Sequence, residues 1–427
     1  MAKIIVIGAG PAGIMSAITA SKNHEVILLD GNDRVGKKLF ITGKGRCNVT
    51  NAKDISEFFD YIYGNPHFLY SSLYSFTNED TINFFENQGI KLKTERGGRI
   101  FPLSDKSSDI IKGLSNGLKD SKVQVKLNSK VTDIISENNK ISSVVINNNE
   151  KIMGDHFIIA TGGASYPLTG SRGEGQKFAE KLGHTIVDLK PSLVPIELNE
   201  NWLKELMGLS LKNISLSVLK NNKVVYKEQG EMLFTSYGMS GPLVLKGSRF
   251  VKNDASYSAI LDLKPALEIH ELDKRIQKDF LKYQNKEFKN ALNDLLPQKI
   301  IPLIIRLSGI SEDKKVNVIT KEERRNLVNL IKNIKMKIKG LRPIEEAIVT
   351  AGGTCSVSSV GGTSVSSNGI LTLSSNTGIN MVSEGPITIN STELTESILG
   401  PVVRTNLSSL EITAGIHQIT GAPISLN

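Results

Sequence analysis

A short apolar run, Lys3-Ile-Ile-Val-Ile7, leads straight into Gly8-Ala-Gly10-Pro-Ala-Gly13, and this pairing constrains the fold more than any other feature of the chain. The run is rich in β-branched residues and has no polar alternation, as in a parallel strand buried on both faces. After the glycines, Ile14, Ala17 and Ile18 recur at helical spacing to about Ser21. Glu25-Val-Ile-Leu-Leu29 then reads as a second buried strand and ends on Asp30, 17 residues past Gly13. That is a βαβ unit whose first turn is G-x-G-x-x-G and whose second strand ends on an acid. In such a unit the glycines allow a tight turn, close approach of backbone N–H groups to a pyrophosphate, and close helix–strand packing. The helix N-terminus near Pro11 adds partial positive charge, and Asp30 is placed to accept from a ribose hydroxyl.

Later segments continue the α/β pattern. Residues 80–87 and 107–118 read as helices; 122–127, 131–136 and 140–146 read as strands of a meander; Phe157-Ile-Ile-Ala160 reads as a buried strand entering Thr161-Gly-Gly163. Residues 191–262 alternate with a period of two, as in Ile214-Ser-Leu216-Ser-Val218. Residues 269–335 change to helical spacing, with Ile276/Phe280, Phe288/Leu292/Leu295 and Leu327/Leu330/Ile331/Ile334 as stripes, and Thr320-Lys-Glu-Glu323 as a capping box. The division expected is a nucleotide-binding domain over 1–190 and 343–353, a β-barrel insert over 191–265, a helical insert with a return strand over 266–342, and a separate tail over 354–427.

The tail is a different material. Written from Gly352 it falls into octads, GGTCSVSS, VGGTSVSS, NGILTLSS, NTGINMVS and EGPITINS, with Val357, Val365, Leu373, Met381 and Ile389 at the sixth position. Apolar residues two apart with a short repeat suit stacked strands of a β-solenoid. Charge divides at the same place: the last 73 residues net −3, so of the chain's +9 the first 354 residues carry +12. A basic body of that size favours an anionic partner.

Other chemistries are excluded or weak. No apolar run approaches the roughly 18 residues of a membrane span, and glycines interrupt the N-terminus too early for a signal-peptide core, so a cytoplasmic chain is expected. Cys47 and Cys355 give no disulfide framework, and six histidines include no H-E-x-x-H, so no metal site is expected. Gly238-Met-Ser-Gly-Pro242 fails G-x-S-x-G because proline replaces the last glycine. The stretch Gly36 to Asn48 is not a phosphate loop of the Walker type, yet Lys37, Lys38, Lys44 and Arg46 make it a cationic loop. Cys47 beside Lys44 and Arg46 is either a thiol of lowered pKa or simply buried.

The chain resembles the BaiN/RdsA-type, aminoacetone-oxidase-like flavoproteins with two dinucleotide-binding motifs. The matching segments are GAGPAG (8–13), GKKLFITGKGRCNVTN (36–51), GRIFPLSDKSSD (98–109), ATGGASYPLTGSRGEG (160–175), LGHTIVDLKPSLVP (182–195), GEMLFTSYGMSGP (230–242) and AIVTAGG (347–353), in the family's order. The resemblance implies an α/β, FAD-binding Rossmann-like fold with inserted β-barrel and α-helical domains. It implies that Gly8, Gly10, Ala12, Gly13, Asp30, Lys38, Arg46, Cys47, Asn48, Val131, Thr161, Gly162 and Gly163 line FAD; NAD(P)H is the electron donor expected, although no second NAD(P) fingerprint is seen, and Cys47 is the candidate chosen for the catalytic acid. One activity it implies is reduction of uridine to dihydrouridine in ribosomal RNA; the +12 body suits RNA phosphates, which the basic Lys332, Lys335, Lys337, Lys339 and Arg342 are expected to help hold. The alternatives are redox chemistry on a small amine or an unsaturated steroid-like ring, or a non-enzymatic chimera. Two departures matter: Ser236 stands where many relatives have His, and the octads stand where the family continues into a G-E…D…T-G-G-Y-N stretch and a closing helix. Weak flavin binding and self-association through the tail, which resembles the β-helical needles of phage-type spikes, are the consequences expected.

Overall fold

The computed structural model describes residues 1–354 except 63–65, 139 and 253, together with 395–397 and 418–420. The octads over residues 355–391 lie outside the described residues. The chain divides into two units, residues 1–361 and 362–427; of the second, Thr395–Ser397 and Gln418–Thr420 pair as parallel strands.

β1 (Lys3–Ile7), α1 (Pro11–Ala20) and β2 (Glu25–Leu29) form the βαβ unit, with β1 and β2 parallel and in register from Lys3 opposite Glu25. The all-apolar runs are explained by burial on both faces. Ile4, Val6, Val26 and Leu28 pack with α1, while Ile5, Ile7, Ile27 and Leu29 face a second cluster. Helix α2 (Asn78–Asn87) is closed by a Thr77–Asp80 capping box, and α3 (Ser107–Asp120) leads into β3 (Gln124–Lys126). Here the expectation is corrected: β3 is not part of the meander but pairs parallel to β2. A three-residue strand entered from a 14-residue helix is a crossover, and alternation alone does not reveal its partner.

The meander that does form is β4 (Val131–Glu137), β5 (Lys140–Ile146) and β6 (Glu150–Met153). Its Ile134, Val144 and Ile152 cover the second face of the parallel sheet. β7 (His156–Ile159) returns beside β1, giving the order β7-β1-β2-β3. Helix α4 (Glu174–Lys181) and β8 (Ile186–Ser192) follow.

The chain then leaves for a closed six-stranded barrel. It is built from β9 (Ile196–Leu198), β10 (Ser210–Lys220), β11 (Lys223–Phe234), β12 (Gly238–Ser240) and β13 (Tyr257–Asp262), closed by a later strand. Helices α5 (Ile269–Lys282), α6 (Ile301–Ser308) and α7 (Lys321–Lys332) share one apolar core with the barrel. The capping box at Thr320 forms as expected, with Glu323 N–H donating to Thr320 Oγ1 at 3.2 Å. Two details differ from the helical reading of 269–335. Phe288 sits in a short 3-10 turn, and Ile334 opens β14 (Ile334–Leu341), the strand that closes the barrel against β9. Phe288 and Ile334 are both buried, so the spacing reports burial correctly although neither lies in an α-helix. β15 (Val349–Thr354) finally returns to pair antiparallel with β8. The fold is thus the expected α/β Rossmann-type fold with an inserted barrel and helices.

Candidate functional site

The first βα turn is built around three glycines that do different things. Gly8 has φ +105°, and a Cβ there would lie 2.5 Å from the Ala160 carbonyl oxygen. A Cβ on Gly13 would lie 1.8 Å from the Gly8 carbonyl oxygen, so this glycine lets α1 press against the strand turn. Gly10 has ordinary extended backbone, and a Cβ there would meet nothing within 4 Å. The fold itself therefore gives no reason for glycine at position 10; a ligand lying against the backbone does.

Helix α1 starts at Pro11 with no side-chain cap and no acid in its first turn. Among the described residues no side chain caps its first N–H groups, which carry the helix's partial positive charge, an arrangement that suits a phosphate. Asp30 closes the other side. Its Oδ2 accepts from Ala9 N–H at 2.6 Å, and its Oδ1 accepts from the Asn32 backbone N–H at 2.7 Å and from Asn32 Nδ2 at 2.8 Å. The carboxylate thus ties the glycine turn to the end of β2.

These elements surround a cavity of about 360 Å³, within the range of cofactor sites. Of the residues picked out from sequence, Gly8, Gly10, Ala12 and Asp30 line it from one side. Lys38, Val131, Thr161 and Gly162 line it from the others. Lys38 is one of four cations on the cavity, with Lys37, Lys130 and Arg172. Its ammonium is half-buried, donates to Ser165 Oγ at 3.4 Å, and is paired with no carboxylate among the described residues. Burial pushes its pKa below the ordinary lysine value, a cost that an anion beside it would offset. Uncapped N–H groups, the open backbone at Gly10 and Lys38 together fit a dinucleotide with its pyrophosphate at the start of α1.

The remaining candidates sit around this cavity rather than on it. Gly13 and Gly163 are packing positions: a Cβ on Gly163 would lie 2.5 Å from Thr350 Oγ1. That hydroxyl accepts from the N–H groups of Ala164 and Ser165, at 2.9 and 3.1 Å, and so clamps the loop after β7 to β15. Thr350 is a residue that sequence reasoning missed, because its partners are 185 and 186 positions away. Asn32, Arg172 and Phe178 also line the cavity and were not picked out from sequence.

Arg46, Cys47 and Asn48 lie off the cavity lining. Arg46 is bound by Glu95 and Asp105, each 2.5 Å from its Nη2, and stacks over Phe101 at 4.2 Å. Lys93 joins the cluster through Asp105 at 2.7 Å. Asn48, oriented with its amide nitrogen toward Ile100 and Thr50, donates to both carbonyls at 3.2 Å. Cys47 is 2 % exposed, and burial pushes its thiol pKa up; the hydrogen bond with Thr42 opposes this more weakly. Of the two readings of Cys47, the buried thiol is the one observed. In a Cys355→Ser background, iodoacetamide should therefore label Cys47 orders of magnitude more slowly in native protein than in denaturant. Equal rates would mean an exposed, activated thiolate.

Among the described residues no group of three or more His, Cys, Asp or Glu is arranged to hold a metal ion. No described helix is long and apolar enough to cross a membrane.

Comparison with known proteins agrees with this geometry. The HI0933-like protein Rossmann domain matches residues 2–366. The 3-dehydro-bile acid delta(4,6)-reductase of Clostridium scindens is 28 % identical over 364 residues, covering 83 % of this chain and 87 % of the relative. Ribosomal RNA dihydrouridine synthase of Haemophilus influenzae is 30 % identical over 354 residues, covering 82 % and 85 %. The protein of the same name from Escherichia coli is 29 % identical over 353 residues, covering 82 % and 84 %.

Proposed function

Because the chain belongs to the HI0933-like Rossmann-domain family, we propose that it is a cytoplasmic FAD-dependent oxidoreductase that reduces uridine in ribosomal RNA to dihydrouridine, with NAD(P)H as donor. The observation that carries the cofactor is Gly10, the one glycine of the turn that only a ligand explains. The open backbone at Gly10 and the first N–H groups of α1 would hold the pyrophosphate. Asp30, already fixed by Ala9 and Asn32, would accept from the adenosine ribose. Lys38 would neutralise negative charge on the cofactor's side of Ser165, and Val131, Thr161 and Gly162 would wall the cavity. Bound FAD, once reduced, supplies the hydride.

The proteins with the two relatives' names share a bond type: a carbon–carbon double bond conjugated to a carbonyl, in a 3-oxo-4,6-diene ring or in uracil. Two of the three relatives described carry the RNA name, and the first 354 residues net +12, which favours a polyanion over an apolar steroid. Reduction also needs one proton. Cys47, the donor expected from sequence, holds its proton at neutral pH because burial raises its pKa, but at 2 % exposed and off the cavity lining it is not placed to hand that proton to a substrate. Self-association through residues 355–427 is part of the same proposal.

The test supplies purified protein with FAD, NADH or NADPH, and transcribed ribosomal RNA, and measures dihydrouridine by nucleoside mass spectrometry. Dihydrouridine at one or a few positions is expected. Reduction of a 3-oxo-4,6-diene steroid with the RNA unchanged would replace this reading with the small-molecule one.

A further inference from the structure

Resting on the RNA reading above, we propose that the outer wall of the barrel, at Lys227, Lys335 and Lys337, is a docking surface for the RNA backbone. Strand β14 alternates strictly: Ile334, Met336 and Ile338 are buried while Lys335, Lys337 and Lys339 are exposed. The strand register carries the lysine face sideways. Lys335 is opposite Ile260 on β13, Ile260 is opposite Ser217 on β10, and Ser217 is opposite Lys227 on β11. In the neighbouring row Lys337 is opposite Ser258.

The structure sorts the basic residues of this region by their partners. Lys332 is half-buried, pairs with Asp262 at 2.7 Å and donates to the carbonyls of Lys264 and Leu267. Lys339 and Arg342 both pair with Glu197, at 3.2 and 2.7 Å, and Arg342 also holds Glu346. Among the described residues no carboxylate pairs with the ammonium groups of Lys227, Lys335 and Lys337. The carboxylates near this wall have other partners or stand apart: Glu228 pairs with Lys246, and Asp254 with Lys220. Asp262 and Glu197 are ion-paired, Glu200 accepts from the Lys337 backbone N–H at 2.8 Å, and Glu231 lies four residues along β11 from Lys227.

Geometry and residue type favour nucleic acid over protein. Two residues along a strand span roughly 7 Å, so Lys335 and Lys337 stand at about the pitch of successive phosphates. Three strand spacings, roughly 14 Å around the wall, separate them from Lys227. Between the lysines lie Ser217, Ser258 and the half-buried Ile260, with no aromatic anchor in the row. Ammonium groups on small polar neighbours suit phosphate contacts that position without reading sequence. They lack the aromatic or arginine core of a protein interface.

The experiment compares the full-length protein with Lys227→Gln/Lys335→Gln/Lys337→Gln and with a charge-matched control, Lys119→Gln/Lys140→Gln/Lys151→Gln, for binding of labelled ribosomal RNA transcript at several salt concentrations. Each lost phosphate contact lowers the salt slope by about 0.7–0.9, so the barrel triple should lower it by roughly 2–3 and weaken binding at least tenfold at about 50 mM salt. The control should bind as wild type, and both triples should keep wild-type FAD affinity, which reports an intact fold. Equal RNA binding by wild type and the barrel triple, with uridine still reduced, would overturn this surface and leave the function standing. Equal losses in the two triples would reduce the effect to net charge and also overturn it. Wild-type protein without salt-dependent RNA affinity would remove both proposals.

Discussion

Gly10→Glu should fold like wild type and lose FAD affinity by about 100-fold or more. The two halves of this expectation have separate causes. In the chain alone a side chain at position 10 meets nothing within 4 Å and sits on extended backbone. A carboxylate there also lies at the start of α1, which has no acid and no side-chain cap, so it would interact favourably with the helix dipole, by about 0.3–1 kcal/mol. The unliganded protein should therefore keep or slightly raise its thermal midpoint. With the cofactor, the same carboxylate occupies the space of the pyrophosphate, and like charges brought together cost several kcal/mol. A fluorescence titration with FAD reads the affinity, and a thermal scan without flavin reads the fold. Unchanged affinity would mean that the pyrophosphate does not lie on this turn, and the cofactor assignment would go with it.

Gly10 also shows why this part of the molecule was legible in the sequence. Strand, turn, helix and second strand are consecutive, and each glycine's task follows from backbone geometry within about 30 residues. Asp30 was found for the same reason, although its observed bonds to Ala9 and Asn32 add a structural duty that spacing does not show. The barrel was legible as period-two alternation and the helices as apolar stripes. Strand partners were not: β3 looks like a meander strand until its parallel pairing with β2 is seen.

Charge was the least legible property. Lys332 to Arg342 reads as one basic cluster, but Asp262 and Glu197, 70 or more positions away in sequence, bind three of its five members and leave Lys335 and Lys337. Arg46 reads as a free cation of the glycine-rich loop, yet Glu95 and Asp105 hold it. An ion pair between distant segments leaves no local pattern, so only the fold reveals which charges are available. Thr350 is the same case for a neutral group.

Gly13→Ala should show the opposite behaviour to Gly10→Ala, although the two residues belong to one motif. The added methyl group at position 13 would stand 1.8 Å from the Gly8 carbonyl oxygen and 3.3 Å from Ala160 Cβ. The first obstacle is backbone and cannot rotate away, so α1 must move off the strand turn or Gly8 must leave its φ of +105°. Overpacking of this kind costs about 1–3 kcal/mol, and a backbone obstacle puts it at the upper end. Alanine's better helix propensity returns only about 1 kcal/mol, and the second turn of α1 still has to pass the strand. A net loss of about 2 kcal/mol should lower the thermal midpoint of the unliganded protein by roughly 4–8 °C. FAD affinity should fall with it, because Gly8 and the N–H groups of α1 shift together. Gly10→Ala should leave the midpoint within about 1 °C of wild type and weaken FAD alone. Equal midpoints for the two variants would mean that α1 is not held against the glycine turn, and the separate tasks given to Gly10 and Gly13 would have to be withdrawn.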